Sequence, residues 1–236
     1  QRVGGQAEYM SVAVASADSV KQAIADAESR LGAITGIIHG AGVLADKLIE
    51  NKTAQDFDMV YETKVTGLQN LLAALPPSKL QALVLFSSVA GFYGNVGQAD
   101  YAIANEVLNK AAHAVKLENP NCRVVSINWG PWDAGMVTPQ LKAYFAQHGV
   151  KVIPIEVGAH MLIEELESVR GDDVQVVVGS GISTPPPVTI SADRPPLVYK
   201  SHRKLELHAS PFLQDHVVDG KAVLPMVCGM SGMTNA

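Results

Sequence analysis

Two unbroken apolar runs, ALVLFSS at 82–88 and RVVSINW at 123–129, constrain the fold of this chain more than any other feature. A strand with one wet face alternates apolar and polar residues, so a run without alternation must be covered on both faces. Segments with helical spacing separate these runs from one another. SADSVKQAIADAESRLG (16–32) reads as a helix with Ser16 as N-cap, and ITGIIHGAG (34–42) as a strand entering a glycine turn. TAQDFDMVYETKVTGLQNLLAAL (53–75) reads as one long helix that ends before Pro76-Pro77. Residues 99–117 and 157–169 read as further helices, AEYMSVAV (7–14) as an opening strand and VQVVVGS (174–180) as a closing one. Such alternation predicts an α/β domain built on a doubly wound, parallel, Rossmann-type sheet.

In such a sheet, ligands sit beyond the carboxyl ends of the strands. Three strand ends carry small or special residues: Gly40, Ala41 and Gly42; Ser87 and Ser88; and GPWDAG at 130–135, with Pro131 and Trp132. Each glycine cluster alone could simply make a tight turn. Their coincidence at one edge of a single sheet points to a ligand cleft.

Composition narrows what the cleft can serve. The 236 residues are 47% hydrophobic and 17% charged, which describes a globule with a real core. A net charge of -5 argues against nucleic acid or an anionic membrane as the main partner. No apolar run approaches the roughly 18–20 residues of a membrane span, and residues 1–10 show no signal-peptide pattern. Two cysteines, Cys122 and Cys228, make neither a disulfide framework nor a metal site, so a cytoplasmic setting and no metal are expected.

Within GQADYAIAN (97–105), Tyr101 and Asn105 stand four apart and so share a helix face. The pair could be a half-buried phenol beside an amide that satisfies backbone groups. The long helix sharpens the question. Phe57, Val60, Tyr61, Leu68, Leu71, Leu72 and Leu75 define its apolar stripe, and Lys64 falls in the middle of it. Either Lys64 snorkels to water along its own stem, or its ammonium enters the cleft and lowers the pKa of a neighbouring hydroxyl. Tyr101 is the natural beneficiary, since a phenol near pKa 10 is a poor proton donor unless a cation tunes it. Ser88 would then hold a substrate carbonyl.

HGAGVLADKLI, YETKVTGLQNL, LVLFSSVAGFYGNVGQADYAIANEVLN and SINWGPWDAGMV, in this order and spacing over roughly residues 5–180, resemble the ketoreductase domains of polyketide and polyunsaturated fatty acid synthases. These domains belong to the short-chain dehydrogenase/reductase superfamily. The resemblance implies NADPH-dependent reduction of a 3-oxoacyl thioester on acyl carrier protein, with the other domains of the synthase as further partners. It makes Tyr101 the proton donor and Ser88, thirteen residues earlier, the hydroxyl that orients the carbonyl. Lys64 matches the lysine that this branch places on the preceding helix, and Asn105 occupies the slot where other members carry theirs. Gly40, Ala41, Gly42 and Pro131, with Lys64 and Tyr101, match the surroundings of the nicotinamide and ribose, and Trp132 falls on the substrate side. Asp46 aligns with the second aspartate of the Leu-Asp-Asp signature of B-type members, the first being Ala45 here, while Tyr93 stands where A-type members carry tryptophan. An acidic loop there would guide the pantetheine arm and imply a 3R alcohol; Asp46 as a merely solvated loop residue stays open.

The resemblance also implies a preceding strand, phosphate turn and NADPH-selecting basic residue. Gly4-Gly5 has no strand before it and no helix after it, and Ala13 stands where an acidic adenine contact is usual. The expectation is a ketoreductase portion, 1–182, that lacks its first βαβ nucleotide-binding part and is inactive alone. A proline-rich linker is expected at 183–208, followed at 209–236 by the start of a hotdog-fold dehydratase. There His216, Gly220 and Pro225 resemble the dehydratase motif, which implies His216 as the base; a lone surface histidine is the alternative. A non-catalytic structural or carrier-docking segment stays open as the second class of function.

Overall fold

The computed structural model describes residues 5–167 and 173–179, with two short strands at 217–218 and 221–222. The chain divides into two compact units, Gln1–Ser183 and Thr184–Ala236. In the second, Val217–Val218 pairs antiparallel with Lys221–Ala222. His216 and the linker 183–208 lie outside the described residues.

The first unit is built on a four-stranded, all-parallel sheet in the order β1 (Gly36–His39), β2 (Ala82–Ser88), β3 (Arg123–Trp129) and β4 (Gln175–Val178). Its helices are α1 (Ala17–Leu31), α2 (Ala54–Tyr61), α3 (Gly67–Ala74), α4 (Val89–Tyr93), α5 (Ala99–Glu118), α6 (Pro139–Gln147) and α7 (Ile155–Glu167). The runs read as doubly covered strands are the two central ones, in register from Ala82↔Arg123 to Ser88↔Trp129. Leu83, Leu85 and Val124 pack with Leu68, Leu108 and Ala112 on one face. Val84, Val125 and Ile127 meet Met161, Leu162 and Leu166 of α7 on the other. Helices therefore cover both faces.

Local chemistry sets the helix starts. The Ser16 hydroxyl accepts from Ser19 N–H at 3.3 Å, and Thr53 with Asp56 forms a reciprocal capping box on α2. Besides the short α4, which the sequence reading did not give, three elements differ from it. Residues 7–14 form no strand: a strand needs a ladder, and none of the described strands pairs with this segment. Val14 instead lies against Gly67, and its carbonyl accepts from Asn70 Nδ2 at 2.9 Å. The helix read over 53–75 is broken by a π-helical turn, Glu62–Thr66. Finally, α6 was not foreseen; it is capped by Thr138 and buries no residue, so no apolar stripe marks it. Among the described residues, no helix is long and apolar enough to cross a membrane, and no cluster of residues suits a metal ion.

Candidate active site

The site forms where β1, β2 and β3 end. Lys64 lies within the π-helical turn, a distortion that recurs at functional sites. Its side chain does not snorkel: Lys64 is 3% exposed, and Nζ donates to the Phe86 carbonyl of β2 at 2.9 Å. Burial lowers the ammonium pKa to about 8. The glycine turn after β1 abuts this chain closely. A Cβ built on Gly42 would stand 3.1 Å from Lys64 Cε, so any side chain there would press on the end of the lysine and shift the ammonium by a few tenths of an ångström.

Tyr101, in the first turn of α5, lies with the Lys64 ammonium 5.5 Å from its ring centroid. Against the expectation of a lowered value, the net pKa of the phenol is raised. Burial raises it most, Ser88 and Asn105 pull it back, and the Asp46 charge raises it further. Desolvation dominates because the phenolate, like any charge, loses its water when buried. Tyr101 therefore rests as a protonated acid.

Ser88 ends β2 half-buried, its hydroxyl accepting from Ala90 N–H at 3.1 Å. Its neighbour Ser87 points into the core instead, donating toward the Asn105 carbonyl at 3.0 Å and Asn128 Oδ1 at 3.1 Å. The strand alternation thus sends only one of the two serines to Tyr101. Asn105 is wholly buried; Nδ2 donates to the Tyr101 carbonyl at 2.7 Å, while Oδ1 has no partner. An unpaired buried acceptor of this kind calls for a donor. A Cβ on Gly91 would reach within 2.8 Å of Asn105 Cβ, so glycine lets α4 close onto α5 here.

Asp46 accepts from Gln98 Nε2 at 2.9 Å on the exposed rim, near enough to act on the phenol. Pro131 anchors the loop after β3 through its carbonyl, which accepts from Ile153 N–H at 2.7 Å. Trp132 is packed rather than free: its ring stacks with Phe86 and meets Trp129 edge-on at 4.8 Å. It also occupies the space over Gly158, where a Cβ would lie 2.3 Å from the ring.

The sequence reading gave His39 no role. It is buried at the end of β1, and Nε2 donates to the Lys64 carbonyl at 2.8 Å, gripping the π-helical turn. Burial first, and then the Lys64 charge, hold its pKa down, so the ring is neutral. The available signal was a histidine ending an apolar strand, but its partner stands 25 residues away. Replacing His39 by leucine is expected to lower stability by about 1–2 kcal/mol in urea unfolding, through the lost donor. An unchanged unfolding midpoint would show that the grip contributes nothing.

The KR domain family model matches residues 1–134. The chain is 43% identical over 240 residues to a polyunsaturated fatty acid synthase polypeptide of a Thraustochytrium species, covering 99% of this chain and 8% of that protein. It is 33% identical over 183 residues to the polyketide synthase PksN of Bacillus subtilis, covering 75% of this chain and 3% of that protein. Among solved structures, the N-terminal ketoreductase from the macrolactin assembly line superposes with a TM-score of 0.66 at 26% identity, covering 76% of this chain and 35% of that one. A ketoreductase domain from the bacillaene assembly line gives 0.66 at 29%, covering 75% and 44%. The chain thus spans only a small part of the synthases it matches. With its parallel sheet and with Ser88, Tyr101 and Lys64 gathered at the strand ends, it belongs to the KR, or ketoreductase, domain family.

Proposed function

We propose that this chain is the catalytic portion of a ketoreductase within a larger synthase, reducing 3-oxoacyl thioesters on acyl carrier protein to 3-hydroxyacyl thioesters with NADPH. The observation that carries this reading is the convergence of Ser88, Tyr101 and Lys64, from three separate elements, at the ends of the central strands. A phenol, a hydroxyl and a buried ammonium together suit a reaction in which a carbonyl oxygen gains charge and then a proton.

The Ser88 hydroxyl holds the substrate carbonyl oxygen. Tyr101 delivers the proton, and its raised pKa keeps that proton in place until charge appears on the substrate. An alkoxide is more basic than a phenolate, so the transfer stays downhill even from this phenol. The Lys64 ammonium, over the ring, then favours the phenolate left behind. A nicotinamide cofactor bound in this cleft supplies the hydride. The residues suit its nicotinamide and ribose end: Gly42 lies against the Lys64 ammonium, Gly40 and Ala41 keep the turn before it small, and Asn105 Oδ1 is an unused buried acceptor. Pro131 would border the same end.

Asp46 gives the reading a handedness. A carboxylate on one rim favours entry of the pantetheine arm from that side, which selects the face of the ketone that meets the hydride. The test uses the synthase polypeptide that carries this chain, with NADPH and a 3-oxoacyl thioester. Loss of NADPH absorbance, matched by 3-hydroxyacyl product of predominantly 3R configuration on chiral chromatography, is the expected result. A predominantly 3S product would remove Asp46 from this role. Carrier binding without turnover would favour a structural or docking segment instead.

A further inference from the structure

One buried ion pair next to the catalytic tyrosine has no part in the proposed chemistry. Lys52 Nζ and Asp100 Oδ2 lie 2.7 Å apart, with their side chains 6% and 0% exposed. Lys52 precedes the capping box of α2, whereas Asp100 sits in the first turn of α5, immediately before Tyr101. Both partners are further bonded. Lys52 Nζ donates to the Ala45 carbonyl at 2.7 Å, and Asp100 Oδ1 accepts from Tyr101's own N–H at 2.9 Å.

That second bond fills a gap in the helix. The N-cap residue, Gln98, makes no side-chain cap, because its amide is turned outward to Asn95 and Asp46. The Tyr101 N–H is one of the helix-start donors left without an intrahelical partner, and the Asp100 carboxylate takes it. Two more bonds tie the same loop to the same helix start: Lys47 N–H to the Gly97 carbonyl, and Gln98 Nε2 to Asp46, both at 2.9 Å.

A desolvated ion pair contributes little net stability, since the loss of water offsets the attraction; its attested use is to fix one arrangement among several. Here the arrangement is a register between the loop that carries Asp46 and the turn that carries Tyr101. We propose that Lys52 and Asp100 are positioning residues of the ketoreductase site, locking the Asp46 loop and the Tyr101 turn into one rigid unit. Rate and product handedness then depend on the same pair. This inference rests on the reductase reading above.

The test compares three variants of the synthase polypeptide with the unaltered enzyme. Lys52→Met/Asp100→Leu replaces the pair by apolar groups of similar size and avoids stranding either charge. The Ala45 carbonyl and the Tyr101 N–H lose these partners, so it is expected to unfold at a moderately lower temperature while staying folded at the assay temperature, to lose roughly tenfold in kcat and to yield a measurably less pure 3-hydroxyacyl enantiomer. Lys52→Arg, which keeps the pair, is expected to retain both rate and purity. Should the apolar double variant fail to fold, Lys52→Gln/Asp100→Asn is assayed in its place, with the same losses expected. Original kcat and enantiomeric purity in the folded double variant would overturn the proposal. Tyr101→Phe serves as the control: if it too reduces at the original rate, the reductase reading itself falls.

Discussion

Phenylalanine at position 101 is expected to lower kcat for 3-oxoacyl thioester reduction by roughly 10²–10⁴-fold, the range for losing a positioned general acid. The substitution removes one oxygen and leaves the ring, which packs with Val60, Val65 and Ala104. The fold and the position of α5 should therefore persist, and the loss should fall on kcat far more than on KM. Steady-state NADPH oxidation by the synthase, with circular dichroism as a check on folding, measures both. A Tyr101→Phe enzyme with unchanged kcat would mean that the proton comes from elsewhere.

Lys64→Met is expected to separate activity from stability. Rate should fall by roughly 10²–10³-fold, as when a preorganised charge beside a reacting oxygen is removed. Stability should move the other way. The ammonium is held at a pKa of about 8 in the folded chain, against 10.5 for the ordinary side chain. Between these values the unfolded chain binds more protons than the folded one, so stability rises with pH across that window, by about 3 kcal/mol in full. Below pH 8 the charge is present and its burial counts against folding. Allowing for the lost bond to the Phe86 carbonyl, Lys64→Met should gain about 1–2 kcal/mol at neutral pH and flatten the rise between about pH 8 and 10. Urea unfolding at several pH values tests this; a less stable variant with an unaltered pH slope would show that the ammonium is not held at a cost.

What the sequence made legible follows the range of each signal. The two central strands were readable to the residue, because covering on both faces leaves an uninterrupted apolar run. Lys64 could be found because a charge inside an apolar stripe is an anomaly within one helix. Residues 7–14 had the composition of a strand, but a strand depends on a neighbour, which composition cannot reveal. The direction of the Tyr101 shift was misjudged for a similar reason: a cation could be placed nearby by pattern, whereas the depth of burial could not. His39 with its backbone partner, and Lys52 with Asp100 at 48 residues' separation, join through the fold alone.

The π-helical turn also sets a counting rule for this stretch of chain. Such a turn holds one more residue than an α-helical turn. The stripe from Phe57 to Leu75 keeps α-helical spacing throughout, yet its two halves meet different neighbours. On one side of the turn, Val60 and Tyr61 join Ala104 and Val107 of α5; on the other, Leu68, Leu71 and Leu72 join the sheet core with Ile24 of α1. The extra residue acts as a phase shifter between two otherwise ordinary helices. A one-residue deletion within 62–66 would rotate everything after it by about 100° and swing Leu68 off the core, although no side chain had been exchanged. Between Glu62 and Thr66, then, the number of residues is itself part of the site, as much as their identity.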